Sequence, residues 1–510
     1  MARNSKVVNS VLGKYQIPNN FILVDFYPVN APFAYAAIVR DRQTGRYEYR
    51  VVEPPLTDND INIIEEIKTL VTETFDVDLI QLRREGEEKV LMDEVEKVVK
   101  KYKIKIPKES YDKILYYIKR DMLGYGKIDV MIRDEEIEDI SCDGILAPIY
   151  VWHSRYESIP SNVIFEDPVE LESILIKLSY RSGKQISIAQ PVVEGALPEG
   201  YRIHLTLSEI SRRGGTFTIR KFKKVPYSVI HLIRFGTLSP ELAAYFWLMI
   251  EEKKSLVIIG STASGKTTTL NAIATFIRPE AKIVTIEETP ELNLPHENWI
   301  PLVTRPSYEE WVRNVDLFDL LKSALRMRPD YIIVGEIRGA EAFTLFQAIA
   351  TGHAGMCTMH AENVDYAVKR LLSEPMNIPL FMLPVMNIYA TIRRLKVDTK
   401  IQRKIVEVKE AIGIDPENRQ VIFKDVFRYN PVLGRLEFLG DSEMIRQIAK
   451  QKFIDEEVVK EEIARRQAII RYLMEHGVTD FATISRVIRD YYHNPDRVYT
   501  AVEMGVYELR

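Results

Sequence analysis

Apolar residues recur at helical spacing early in the chain: Ile61, Ile64, Ile67, Val71 and Phe75, then Leu91, Val95, Val98 and Val99, then Tyr111, Ile114, Leu115, Ile118 and Met122. A period near 3.6 predicts three amphipathic helices, and such stripes make a small bundle that serves as core rather than as chemistry. Ahead of them, Phe33 to Val39 and Tyr47 to Val52 are strand-length runs joined by the hairpin signal Asp41–Gly45. Residues 1–123 therefore read as a mixed region. From Gly124 short strands are expected, at Ile137–Ser141, Ile149–Trp152 and Arg202–Leu207, with a helix over Pro168–Arg181. This predicts a compact α+β domain over 124–224. The basic stretch Arg212–Lys224, broken at Pro226, leads into a linker over 225–237. That stretch reads either as a solvated charged strand or as a source of arginines for a ligand held by the next domain.

Over 238–510 continuous apolar runs alternate with helical stretches, which predicts an α/β domain with a mostly parallel sheet covered on both faces. The tail from Ser442 to Arg489 reads as helical again, with Gly477 stopping one helix as a left-handed cap.

The run Leu256–Ile259 opens directly into Gly260, Ser261, Thr262, Ala263, Ser264, Gly265, Lys266 and Thr267, the pattern G-x-x-x-x-G-K-[ST]. The glycines let backbone N–H groups curl around phosphates, Lys266 adds a point charge, the Thr267 hydroxyl suits Mg²⁺, and Thr268 continues into a helix with its positive end on the same phosphates. In an open parallel sheet, ligands sit beyond the carboxyl ends of the strands. Three further strand exits carry polar groups: Ile283–Ile286 ends in Glu287 and Glu288, Tyr331–Val334 in Gly335 and Glu336, and Met356–Met359 in His360. Glu287 is the first choice for polarising an attacking water, Glu288 the second, and Glu336 is expected to hold the Mg²⁺ shell. His360 suits a hydrogen-bonding sensor of the γ-phosphate, and His353 a satisfied core histidine. Arg202 and Arg220 from the preceding domain, with Arg326 and Arg328 before Asp330, are candidates for stabilising transferred charge.

With 69 basic and 73 acidic residues the chain is nearly balanced, which offers no global attraction for nucleic acid. The basic cluster of Arg393, Arg394, Lys396, Lys400, Arg403 and Lys404 suits a membrane-platform protein or a neighbouring subunit. No Asn-Lys-x-Asp run reads a guanine base. The two cysteines, Cys142 and Cys357, lack C-x-x-C spacing, which excludes a structural zinc module and fits a reduced cytoplasmic setting. The longest apolar stretch, Leu242–Ile250, is far short of the ~20 residues that span a bilayer, so membrane contact is expected only through a partner.

Taken together, the phosphate loop, the acidic box Thr285–Glu291, the Walker B-like run Arg326–Arg338 and the histidine box Thr351–Ala361 resemble the secretion ATPase superfamily of type II secretion, type IV pili and the archaellum. The resemblance spans roughly Gly124 to Arg394. Glu-Glu-Thr-Pro in the acidic box and the lack of a four-cysteine module resemble an archaeal branch, and Tyr49–Leu56 ahead of the bundle resembles the archaellum motor. The resemblance implies a RecA-like motor domain, ATP with Mg²⁺, a homo-hexamer, and a place at the inner face of the membrane. A membrane platform protein and other cytoplasmic archaellum components are its implied partners; a pilus or type II secretion ATPase is the alternative, and a nucleic-acid translocase is disfavoured by the charge balance.

Overall fold

The structure, a computed structural model, describes residues 18–74, 86–222, 225–305, 313–397 and 400–509. The chain divides into two compact units, Met1–Lys223 and Lys224–Arg510.

The first unit carries strands β1 (Phe21–Asn30), β2 (Ala34–Asp41), β3 (Tyr47–Val52), β4 (Ile137–Cys142), β5 (Pro148–His153), β6 (Glu157–Ile164), β7 (Val192–Ala196), β8 (Arg202–Thr206) and β9 (Thr216–Arg220). They form one nine-stranded sheet in the order β1-β2-β3-β6-β5-β4-β9-β8-β7. The expected mixed region and the expected α+β domain share this sheet, joined where Tyr49 of β3 pairs in parallel with Ser161 of β6. Helices Asp58–Thr74, Glu87–Tyr102 and Tyr111–Met122 bury Ile64, Ile67, Val71, Leu91, Val95, Val98, Ile114 and Ile118 in one cluster. Ile61 and Tyr111 are exposed despite fitting the period, and Phe75 lies outside the described residues. Three strands are additions to the sequence reading. β1 holds Pro28 and pairs only with β2, an edge position where a missing N–H is tolerated; β6 and β7 run through Pro160 and Gly195, residue types that mask a strand in the sequence.

The second unit holds β10 (Leu256–Ile259), β11 (Ile283–Glu287), β12 (Trp299–Val303), β13 (Tyr331–Val334), β14 (Ala354–Met359), β15 (Ile388–Val397), β16 (Lys400–Asp415), β17 (Gln420–Asn430) and β18 (Arg435–Phe438). Their order is β12-β11-β13-β14-β10-β15-β16-β17-β18. Every pair from β12 through β15 is parallel, and β15 to β18 continue as an antiparallel meander. All residues of β10 and β13 are buried, as strands covered on both faces must be.

The segment read as a linker carries a helix, Val229–Arg234, capped by Ser228 and packed through Val229, Ile230 and Leu232 into the second unit's core. The long apolar stretch is the helix Pro240–Glu251, buried continuously from Leu242 to Ile250. No helix among the described residues is long and apolar enough to cross a membrane. The helices Glu443–Lys452, Glu456–Glu475, Phe481–His493 and Pro495–Glu503 close the same core, and Gly477 lies past the end of the second of them at φ 71°. Glu410 of β16, wholly buried, accepts hydrogen bonds from Tyr245 Oη at 2.7 Å, Ser442 Oγ at 2.5 Å and the backbone N–H groups of Glu443 and Met444 at 2.6 and 3.1 Å. That carboxylate sits on the positive end of Glu443–Lys452 and ties it to the sheet.

Candidate nucleotide site at the carboxyl edge of the parallel sheet

β10 ends at Ile259 and turns at once into the loop that precedes the helix Lys266–Ala274. Gly260 has room only for hydrogen, since a Cβ there would fall 2.5 Å from Ser264 Oγ and 2.6 Å from the Ile392 carbonyl oxygen. Gly265 takes φ 91°, where a Cβ is strained. Ala263 adopts φ 58° despite its Cβ, and its carbonyl accepts from Arg403 Nε at 3.1 Å. Ser264 Oγ donates to the Ser261 carbonyl at 2.8 Å, and Lys266 Nζ, inside the curl, donates to the same oxygen at 3.0 Å. Ser261 and Thr262 are exposed at the mouth, whereas Thr267 and Thr268 are half-buried in the first helical turn. A loop so closed against side chains, ending on a helix N-terminus, is a cradle for phosphate oxygens.

Because the neighbouring strands are parallel, their carboxyl ends share one edge, and the ~4.8 Å spacing between strands sets what can reach what. β14 lies beside β10, β13 is second and β11 third. Accordingly His360, leaving β14, meets the loop directly: Lys266 Nζ lies 3.3 Å from its Nδ1. On its other side, His360 Nε2 is 3.3 Å from Glu336 Oε1. Burial, then the Lys266 charge, lowers the basicity of His360. With the Lys266 ammonium as donor, Nδ1 is the accepting nitrogen, which leaves Nε2 to face the Glu336 carboxylate. Burial likewise pulls the Lys266 ammonium below the usual lysine range, opposed by Glu336 and Glu291. Ammonium, imidazole and carboxylate thus form one chain of contacts.

Glu287, the end of β11, is farther away and only 4% exposed. Its Oε1 accepts the N–H groups of Glu291 and Leu292, each at 3.0 Å. Burial pushes its carboxyl up to about 7 in spite of those two bonds. Gly335 leaves space for it, since a Cβ there would come within 3.1 Å of Glu287 Cγ. Glu288 is more exposed and pairs with Arg338.

Not every candidate gathers here. Arg326 and Arg328 are exposed and precede β13, at the amino end of the strands. Lys253 pairs with Asp330 at 2.8 Å on that edge, about 13 Å from the exit of the four-residue β13. Their nearness to Glu336 in sequence is undone by the length of β13, so the structure does not bring them into this site. Arg202 and Arg220 belong to the first unit, where they are cross-strand partners on β8 and β9. Arg220 Nε lies 3.0 Å from Asp139, and Arg202 is 3.8 Å from Glu194. His353 sits at the other end of β14, with Nδ1 3.1 Å from the Ala348 carbonyl that ends a helix.

Among the described residues no group of three or more His, Cys, Asp or Glu is placed to hold a metal. That donor set still fits a nucleotide-borne Mg²⁺, which takes few protein ligands and keeps waters and phosphate oxygens; Thr267 and Glu336 are the residues that would hold it.

Four residues near the site are not assigned to it by the sequence. Glu291 feels the charge of Lys266. Arg338 and Arg370 bracket the histidine box, and Arg370 Nη1 donates to the His360 carbonyl. Arg403 reaches the loop because β15 pairs in parallel with β10 and β16 folds back on β15. The arginine of the Walker B-like run and the basic cluster were visible as charges, but only the strand order assigns them positions. The side chain of Lys400, from that cluster, lies outside the described residues.

Residues 160–426 match the family described as Type II/IV secretion system protein. The chain belongs to that family. It is a member of the secretion ATPase superfamily, and the fold of its second unit is RecA-like. Residues 7–55 match a PilB3-like N-terminal description and residues 438–506 a PilB3-like C-terminal one. An uncharacterized protein of Methanocaldococcus jannaschii is 41% identical over 411 residues, covering 79% of this secretion-family chain and 72% of that protein. A putative conjugal transfer protein of Mycobacterium tuberculosis is 29% identical over 257 residues, 49% of this chain and 72% of that one. Among solved structures, the ATPase DotB of Yersinia pseudotuberculosis is 16% identical with a TM-score of 0.42, covering 73% of this chain and 93% of DotB.

Proposed function

We propose that this chain hydrolyses ATP with Mg²⁺ as one subunit of a homo-hexameric motor at the cytoplasmic face of the membrane, where it powers assembly or rotation of an archaeal surface filament. The contact chain Lys266–His360–Glu336 at the mouth of the phosphate loop is the observation that carries this reading. Lys266 would hold the β- and γ-phosphates. Glu336, one imidazole away, would polarise the attacking water and touch the shell of Mg²⁺. His360 would report loss of the γ-phosphate by exchanging its Lys266 contact. Bound Mg²⁺ supplies charge neutralisation on the phosphate oxygens. Glu287, first choice from sequence for the water, has one carboxylate oxygen committed to two backbone N–H groups and would instead fix the shape of the acidic box, with Glu288 steadied by Arg338. Arg202 and Arg220 would lend positive charge across subunits.

The archaellum is the filament suggested by the motif set, with a membrane platform protein and other cytoplasmic archaellum components as partners. The two PilB3-like flanking matches favour a second reading, assembly of a pilus-type filament by the same motor. Deletion of the gene, scored for both surface filaments and swimming, separates them: loss of pili with swimming intact supports the second, and loss of swimming the first. Strong stimulation of ATP turnover by duplex or single-stranded DNA would overturn both in favour of a nucleic-acid translocase.

A further inference from the structure

Next to the hydrolytic edge lies a second concavity of about 220 Å³, lined by Arg338, Tyr366, Lys369, Arg370, Ser373 and Glu374, with Pro375 and Met376 completing its wall. We propose that it binds a small tetrahedral oxyanion, the inorganic phosphate released by hydrolysis, after that phosphate has left the loop. This inference rests on the hydrolytic reading above.

Size is the first argument, because pockets for organic ligands run to about 300–1,000 Å³ and this one is smaller. Charge is the second. Three cations line the cavity against one carboxylate, Glu374; a further carboxylate, Glu288, is held by Arg338 and does not line it. Two of the cations are guanidinium groups, whose planar forks match phosphate oxygens. Ser373 Oγ donates to the Lys369 carbonyl at 2.7 Å, which leaves anion binding to the charged groups.

Position is the third argument. Arg370 donates to the carbonyl of His360, the residue whose ring touches Lys266. Arg338 follows Glu336 by two residues and pairs with Glu288 of the acidic box. A phosphate passing His360 therefore enters a cavity whose walls are tied to both the histidine box and the acidic box. Its arrival competes with Glu288 for Arg338, so product occupancy and the state of the acidic box become linked.

Thermal denaturation of the full chain saturated with MgADP, titrated with inorganic phosphate against chloride at equal ionic strength, tests this. Phosphate is expected to raise the melting temperature of the wild type by mass action. In Lys369→Glu and in Lys369→Gln the half-maximal phosphate concentration is expected to rise at least about tenfold, while the response to MgADP, which reports an intact fold and phosphate loop, stays as in the wild type. An unchanged phosphate response in both variants overturns the inference. So does a phosphate response that saturating MgADP abolishes, which would put the anion in the loop. Loss of subunit assembly in Lys369→Glu with its phosphate response intact would assign the cavity to an acidic side chain of another copy, also against the inference. Absence of any MgADP response in the wild type would instead sink the nucleotide reading itself.

Discussion

Glu287 and Glu336 leave neighbouring parallel strands, yet their surroundings push them to different tasks. Glu336 stands beside His360 at the edge of the loop, whereas Glu287 is buried and has its carboxyl raised to about 7. A carboxyl raised in the folded state binds more protons there than in the unfolded chain. Its contribution to stability is therefore full below about pH 4.5 and lost as pH climbs through about 7. Glu287→Gln keeps an oxygen for the two N–H donors and removes the buried charge. The variant is expected to be more stable than the wild type above pH 7, by on the order of 3 kcal/mol at most, and to match it near pH 4.5. Melting temperatures across that range check this; equal pH slopes for the two proteins would contradict it. The identity of these residues as strand-exit acids was legible in the sequence. Their division of roles was not, because it depends on which strands are adjacent.

At the scale of elements, the sequence announces what is buried on both faces. Leu256–Ile259 and Tyr331–Val334 are continuous apolar runs and appear as strands with those bounds. The helix Pro168–Arg181 is equally plain, with Asp167 accepting from the Val169 N–H and proline in its first turn. The β16–β18 meander was not legible. Its strands are charge-rich and partly solvated, so their alternation does not stand out from that of a surface helix. That meander nonetheless supplies Arg403 to the phosphate loop and Glu410 to the first of the C-terminal helices. Glu410→Ala strands Tyr245 Oη, Ser442 Oγ and two backbone N–H groups without their buried acceptor. Destabilisation by about 3 kcal/mol or more is expected, with protection against hydrogen exchange lost first in Glu443–Lys452. Protection there equal to the wild type would show that the clamp is dispensable.

For the whole molecule, the nucleotide edge belongs to the second unit and the paired arginines Arg202 and Arg220 to the first. Like charges placed directly across a strand pair are unfavourable unless something offsets them. Asp139 and Glu194 do so in part. In the ring proposed above, the pair would carry positive charge to a nucleotide held by another subunit. Arg220→Ala is expected to lower ATP turnover at least about tenfold with the same assembly by light scattering; unchanged turnover would leave Arg220 as a partner for Asp139 alone. The division at Lys223 was nearly visible as the end of the basic run, but the helix Val229–Arg234 was hidden by Pro226 just before it.

Glu336 is the group proposed to make a bound nucleotide react. The measurement that bears on it most directly pairs MgATP affinity with steady-state turnover in Glu336→Ala. Affinity is predicted to stay within about threefold of the wild type while turnover falls by about 100-fold or more. Wild-type turnover in that variant would contradict the account, as would loss of binding in a folded protein.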